Sequence, residues 1–199
     1  MINIQDKSKC SGCHACANAC PKKCIAMVED REGFLYPVIK EDNCINCGIC
    51  ENACPIITQR IIEKNEDDIS AYASYTKNED IRNKSSSGGL FTEIASYIIN
   101  NGGVVFGASL DENLNVVHIM IDSIEGLACL RGSKYVQSTI GDTYTQAKKH
   151  LDSGRLVLFS GTPCQIGGLY SYLNKSYDNL ITQDFICHGV PSPFVWRGY

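Results

Sequence analysis

Cys10, Cys13, Cys16 and Cys20, with Pro21 behind them, space four thiols as C-x2-C-x2-C-x3-C-P. Cys44, Cys47, Cys50 and Cys54, with Pro55 behind them, repeat that spacing 34 residues later, and Asn-Ala-Cys-Pro closes both runs. The segment is an internal duplication. Three cysteines in one loop, two residues between each, can cup three corners of an iron–sulfur cubane. The fourth, a helical turn further on, points away from its own loop and serves the other cluster. The spacing predicts one [4Fe–4S] cluster on Cys10, Cys13, Cys16 and Cys54 and a second on Cys44, Cys47, Cys50 and Cys20. Such a protein moves electrons.

Zinc is one rival, but zinc sites typically pair two C-x2-4-C motifs, not two triplets each followed by Cys-Pro. Disulfides are the other. Nine of the 12 cysteines lie in the first 54 residues, and residues 1–9 lack the apolar stretch of a signal peptide. A cytoplasmic location is therefore expected, where thiolates at short regular spacing bind metal. Cys24 fits neither run and reads as a small buried thiol.

The 199 residues are 44% apolar and 20% charged, as in ordinary globular proteins, with a net charge of −4. That balance lacks the basic footprint of nucleic-acid binding. No stretch reaches the roughly 20 apolar residues that span a bilayer.

The elements that must position these thiols follow from pattern. Pro21 and Pro55 are expected to stop the short helices. Residues 25–28 and 34–39 flank a polar turn and predict a hairpin. A polar run after residue 62 predicts a domain edge: a ferredoxin-type domain over 1–62, a linker over 63–70 and an α/β domain over 71–199. The fold class expected is α+β, a bacterial two-cluster ferredoxin-like domain followed by an α/β domain with a partly parallel sheet.

In that second unit, 70–76 is strand-like. Ser85, Ser86, Ser87, Gly88 and Gly89 precede a helical pattern of Leu90, Phe91, Ile94, Tyr97 and Ile98. A Ser/Gly loop at a helix N-terminus suits a phosphate and equally suits plain capping. Strands are predicted over 104–109 and 116–121. The polar stretch 131–138, with Ser133 and Lys134, could serve a phosphate or ring, or be a solvated loop. A helix over 143–153 should turn Tyr144, Ala147 and Leu151 inward.

A strand over 156–159, a helix near 165–173 and a strand over 180–186 form a βαβ unit with parallel strands. Cys164 and Cys187 follow those strands and are expected to meet in the crevice where open α/β sheets bind ligands. They read as part of a further cluster or an active-site wall. Buried core thiols, or a nucleophile paired with His188, are the alternatives. Cys129 reads as structural.

The duplicated cysteine runs, with residues 85–91, 132–138, 160–165 and 187–193, resemble the coenzyme F420 hydrogenase/dehydrogenase beta-subunit family. These are iron–sulfur flavoproteins that exchange electrons between clusters, FAD and a deazaflavin or other acceptor. The resemblance implies that Ser86, Ser87, Gly88, Gly89, Ser133 and Lys134 lie near a flavin, and that Cys164 and Cys187 help bind a further [4Fe–4S] cluster beside it. It names no catalytic residue.

Members of that family continue beyond the stretch matching 194–199, so the chain is expected to be C-terminally truncated. An exposed apolar patch near Trp196 and weak FAD retention are expected with it. The function implied is an iron–sulfur, flavin-dependent oxidoreductase. Its partners are a small-molecule acceptor and either a redox partner protein or the missing segment. The alternatives are a ferredoxin-like electron carrier with a non-catalytic appendage and a redox-regulated scaffold.

Overall fold

The computed structural model describes residues 1–4, 6–58 and 69–199. Most of the linker expected over 63–70 lies outside the described residues.

The sequence duplication is also a duplication of backbone. Each cysteine loop follows a 3-10 turn, Lys7–Lys9 or Glu41–Asn43, and runs into a short helix, α1 (Ala15–Ala19) or α2 (Ile49–Asn52). Each loop takes a left-handed backbone at two equivalent places, Gly12 and Asn46, then His14 and Gly48. Between the repeats lies the antiparallel hairpin β1 (Ile25–Glu29) and β2 (Leu35–Ile39), with Ile25 opposite Ile39. The Asp30 carboxylate closes its turn by accepting the backbone N–H groups of Glu32 and Phe34 at 3.0 and 3.1 Å. Helix α2 ends before Pro55, as expected, but Pro55 does more than follow it. It opens a further helix, α3 (Pro55–Thr58), because a fixed φ and a missing N–H suit the first helical position.

The second unit begins with α4 (Glu79–Asn83), whose first N–H groups are capped by the Asn78 side chain, and α5 (Leu90–Asn100). There follow β3 (Val104–Leu110), β4 (Val116–Ile121), α6 (Leu127–Leu130), α7 (Thr143–Asp152) and β5 (Val157–Ser160). The chain closes with α8 (Pro163–Leu173), β6 (Leu180–Gln183) and α9 (Pro193–Arg197).

The sheet order is β4-β3-β5-β6. β4 is antiparallel to β3, and β3, β5 and β6 are parallel. The fold is α+β with a partly parallel sheet, and β5-α8-β6 is a βαβ unit of neighbouring strands.

Alternation along the strands divides the core between two faces. Phe106 and Phe159 meet Tyr144, Ala147 and Leu151 of α7 and Ile166 and Leu169 of α8. Val105 and Leu158 meet Ala95 and Ile98 of α5 and Leu127 and Leu130 of α6.

Three local expectations are corrected. Residues 70–76 form no strand; the Thr76 N–H donates to the Gly88 carbonyl at 2.7 Å, so the segment is tied to a loop and not to a ladder. β6 ends at Gln183, leaving Phe185 and Ile186 exposed. Helix α5 buries Thr92, Ala95 and Ile98, and leaves Leu90, Ile94 and Tyr97 outside.

Candidate iron–sulfur centres

The eight cysteines of the two runs divide between two cavities. One, of about 370 Å³, is lined by Cys44, Cys47 and Cys50 together with Cys20, and by Cys24, Ile25, Ile39 and Ile45. The other, of about 310 Å³, is lined by Cys10, Cys13 and Cys16 together with Cys54, and by Ile2, Ile4, His14 and Met27. In each, three thiols come from one repeat and one from the other.

Residues 49–52 make a single helical turn, so the chain leaves the second loop heading for the first, and α1 does the reverse. Among the described residues no three Cys, His, Asp or Glu side chains gather tightly enough for one metal ion. The sulfurs ring a volume and not a point. That is the arrangement a four-iron body needs, and the otherwise largely apolar linings suit it.

Burial pushes the Cys13 thiol up to about 11 and Cys16 up to about 12, with neighbouring thiols adding to both shifts. At neutral pH these thiols keep their protons until a cation replaces them, so cluster binding here releases protons. Cys24 is buried, as expected. Its N–H donates to the Cys20 sulfur at 3.4 Å and the two sulfurs lie 3.3 Å apart.

The cavity of the first cysteine run, hereafter the first cavity, lies against the α/β unit. Ala15 belongs to the core formed by Phe106, Phe159 and Ile166, and Cys13 packs on it. The Asn18 side chain donates to the Gly141 carbonyl at 2.8 Å and accepts from the Thr145 hydroxyl at 3.2 Å. Gln137 accepts the Leu35 N–H at 3.2 Å. A Cβ on Gly33 would strike the Phe194 side chain, and Arg197 grips both oxygens of Glu29 at 2.8 and 2.6 Å. Thus α9, half-exposed at Phe194 and Val195, packs on the turn of the β1–β2 hairpin.

Behind this seam lies a buried polar chain that sequence reasoning did not single out. His118 Nε2 lies 3.0 Å from the Ser160 carbonyl, which can only accept, so the ring proton sits on Nε2. Nδ1 then accepts from the Ser138 hydroxyl at 3.0 Å, and that hydroxyl accepts from Gln165 Nε2 at 2.8 Å. Gln165 Oε1 accepts the Thr162 N–H at 2.9 Å, completing a capping box on α8. Burial lowers His118 to about 4, so the ring is neutral. A histidine at an inward position of β4 was the available signal.

The Ser/Gly loop and the 131–138 stretch also come together. The Ser133 N–H donates to the Ser86 hydroxyl at 2.9 Å. Ser86, Ser87 and Ser133 are exposed; Gly89, at φ 80°, is the N-cap of α5. Gly88 packs on the backbone of Ser74 and Tyr75. Lys134 is already engaged, donating to the Cys129 and Arg131 carbonyls at 3.0 and 2.8 Å. Cys164 and Cys187 are both exposed, which removes the buried-core alternative. Cys164 sits in the first turn of α8, its sulfur 3.1 Å from the Thr162 hydroxyl.

Three family descriptions match the chain: a 4Fe-4S dicluster domain over residues 9–56, a 4Fe-4S binding domain over 41–72, and coenzyme F420 hydrogenase/dehydrogenase, beta subunit N-term, over 71–143. Among solved structures, a chain of the F420-reducing [NiFe] hydrogenase complex from Methanosarcina barkeri, studied by xenon derivatization, matches with a TM-score of 0.51 at 18% identity. The match covers 65% of this chain and 49% of that one, so this chain spans about half the length of the relative, and the likeness is one of fold. No curated protein matches.

Proposed function

The chain belongs to the coenzyme F420 hydrogenase/dehydrogenase beta-subunit family, and from that premise we propose that it passes electrons between two [4Fe–4S] clusters and a flavin or deazaflavin-type acceptor on its α/β unit. The iron–sulfur part of this role is carried by the dicluster region. The ligands we propose are Cys10, Cys13, Cys16 and Cys54 for one cluster and Cys44, Cys47, Cys50 and Cys20 for the other. The observation that carries the assignment is the sharing of each cavity between the two repeats.

When bound, the clusters supply one-electron carriage, and a flavin would join single electrons to two-electron chemistry. The chain's own residues do the rest. Ile2, Ile4 and Met27 around one cavity and Ile25 and Ile39 around the other restrict water. Asn18, Gln137 and Ala15 fix the cluster-binding unit, residues 1–62, on the α/β unit, residues 71–199. Ser86, Ser87 and Ser133, which are exposed, are proposed to lie near the flavin together with the more enclosed Gly88, Gly89 and Lys134. Cys164 and Cys187, both exposed, are proposed to serve a further cluster completed by sulfurs from elsewhere. The electron donor is proposed to be a partner protein, and the location the cytoplasm. Among the described residues no helix is long and apolar enough to cross a membrane.

One observation favours a second reading, a plain electron carrier. The Lys134 amine is committed to two carbonyls and the Ser86 hydroxyl to Ser133, so a flavin phosphate must displace bonds already made. An anaerobic UV–visible spectrum with iron, sulfide and flavin counts tests both readings. About eight irons per chain are expected from two cubanes. Tightly bound zinc with little iron would sink the cluster assignment, and eight irons with no FAD uptake would leave the electron carrier.

A further inference from the structure

Equivalent positions of the two cysteine loops carry His14 and Gly48, and both take the left-handed backbone, at φ 62° and 73°. Glycine adopts that conformation freely, whereas a residue with a Cβ is disfavoured there. At this position the first loop bears a strain that its duplicate avoids; at the other equivalent pair the first loop has Gly12 and the second has Asn46, a residue type that tolerates the left-handed backbone. Nor does the His14 side chain escape to solvent. His14 is 4% exposed and shares its cavity with Cys10, Cys13, Cys16 and Cys54. Its Nε2 is buried with no hydrogen-bond partner.

Strain that persists at one residue, together with a buried polar atom left unmatched, points to a role that both serve. An imidazole carries an N–H in either charge state, so the ring has a hydrogen bond to give. The nearby His118 cannot receive it, since that ring is already bonded to Ser160 and Ser138.

Resting on the two-cubane reading above, we infer that His14 donates a hydrogen bond from Nε2 to a sulfur of the cubane in the first cavity and so raises its reduction potential above that of the second. Hydrogen bonds to sulfur favour the more negative, reduced cluster, and Gly48 offers the second cavity nothing equivalent. A single electron crossing the pair oxidises the second cubane as it reduces the first, and no proton moves. The favoured site is the one packed against α8. The asymmetry therefore draws electrons from the cavity of Cys44, Cys47 and Cys50 toward the α/β unit, and His14 acts as a tuning residue, not a catalytic one.

The test is a potentiometric titration followed by EPR on the anaerobic, cluster-loaded chain. Wild type should show two resolved potentials. In His14→Gly, which copies Gly48 and relieves the strain, the higher potential should fall toward the lower one while the lower stays put, with iron content unchanged. Unshifted potentials at full iron content, or an equal shift of both, would overturn the inference. Pulsed EPR on the reduced wild type, with histidine labelled by 15N, gives a second reading without any variant. One coupled histidine nitrogen is expected, and none overturns the inference even if His14→Gly loses iron. A wild-type chain without eight irons fails earlier, at the two-cubane reading itself.

Discussion

Gly168 of α8 faces Cys13 of the first cysteine loop so closely that a Cβ on it would stand 3.0 Å from the Cys13 sulfur, and equally close to the Tyr144 hydroxyl. Gly167, one position earlier, has no atom within 4 Å of such a Cβ. Gly168→Ala is therefore expected to lower stability by roughly 1–3 kcal/mol through overpacking, less what alanine returns as a better helix former. It should also alter the visible circular dichroism of the neighbouring cluster. Gly167→Ala should gain up to ~1 kcal/mol. Thermal melts of the two variants check the pair, and equal shifts would show that the approach at Gly168 is not tight.

The sharing of cavities makes cluster damage cross over. Cys20→Ala should impair the cluster of Cys44, Cys47 and Cys50 and spare the one beside His14. Iron should fall from about eight to about four per chain if the affected cubane is lost. The surviving EPR signal identifies which site remains. Loss confined to the first loop would refute the ligand assignment.

His118 gives the pH prediction. Its ordinary value is 6.5 and the fold lowers it to about 4 by burial. Below pH 6.5 the unfolded chain takes up a proton that the folded chain refuses, so stability is full above 6.5 and declines as pH falls toward 4. The slope from this one group is at most about 1.4 kcal/mol per pH unit. His118→Gln should be less stable at pH 7.5, because the Ser138 and Ser160 groups lose a matched partner. It should also lose less between pH 7.5 and 5 than wild type does. Thermal midpoints at the two pH values decide this; parallel losses would mean that another group sets the acid limb.

The exposed pair Ser86 and Ser133 yields a test of flavin binding. Ser86→Trp should abolish any FAD uptake, read as flavin absorbance after gel filtration, and leave the iron content unchanged. Lys134→Met should cost about 1–2 kcal/mol of stability by freeing two carbonyls, whatever the flavin does.

Short-range signals were read well. The eight cysteines lie where their spacing placed them in the chain, and the hairpin, the βαβ unit and the inward face of α7 at Tyr144, Ala147 and Leu151 follow from local periodicity. What escaped depends on distant neighbours. Residues 70–76 read as a strand but find no ladder, and Thr76 is instead bonded to the Gly88 loop. The chain from His118 through Ser138 to Gln165 joins three separate segments, and beyond the inward histidine no local pattern announces its partners. The weight of His14 emerges only when its φ is set beside that of Gly48. The stop before Pro55 was legible, but not the helix it opens, because a proline that cannot continue one helix can start the next.

With the thiols paired as the two cavities pair them, the chain is closed into nested loops, Cys20 to Cys44 inside Cys10 to Cys54. Closing the inner loop first about halves the length of chain still to be closed by the outer one. Each halving is worth only ~0.6 kcal/mol of closure entropy, yet it gives assembly a preferred order. The cavity of Cys20 and Cys44 should fill first during reconstitution, and the cavity against α8 second. Chains stopped at half-loading should carry their iron on Cys20 and its partners.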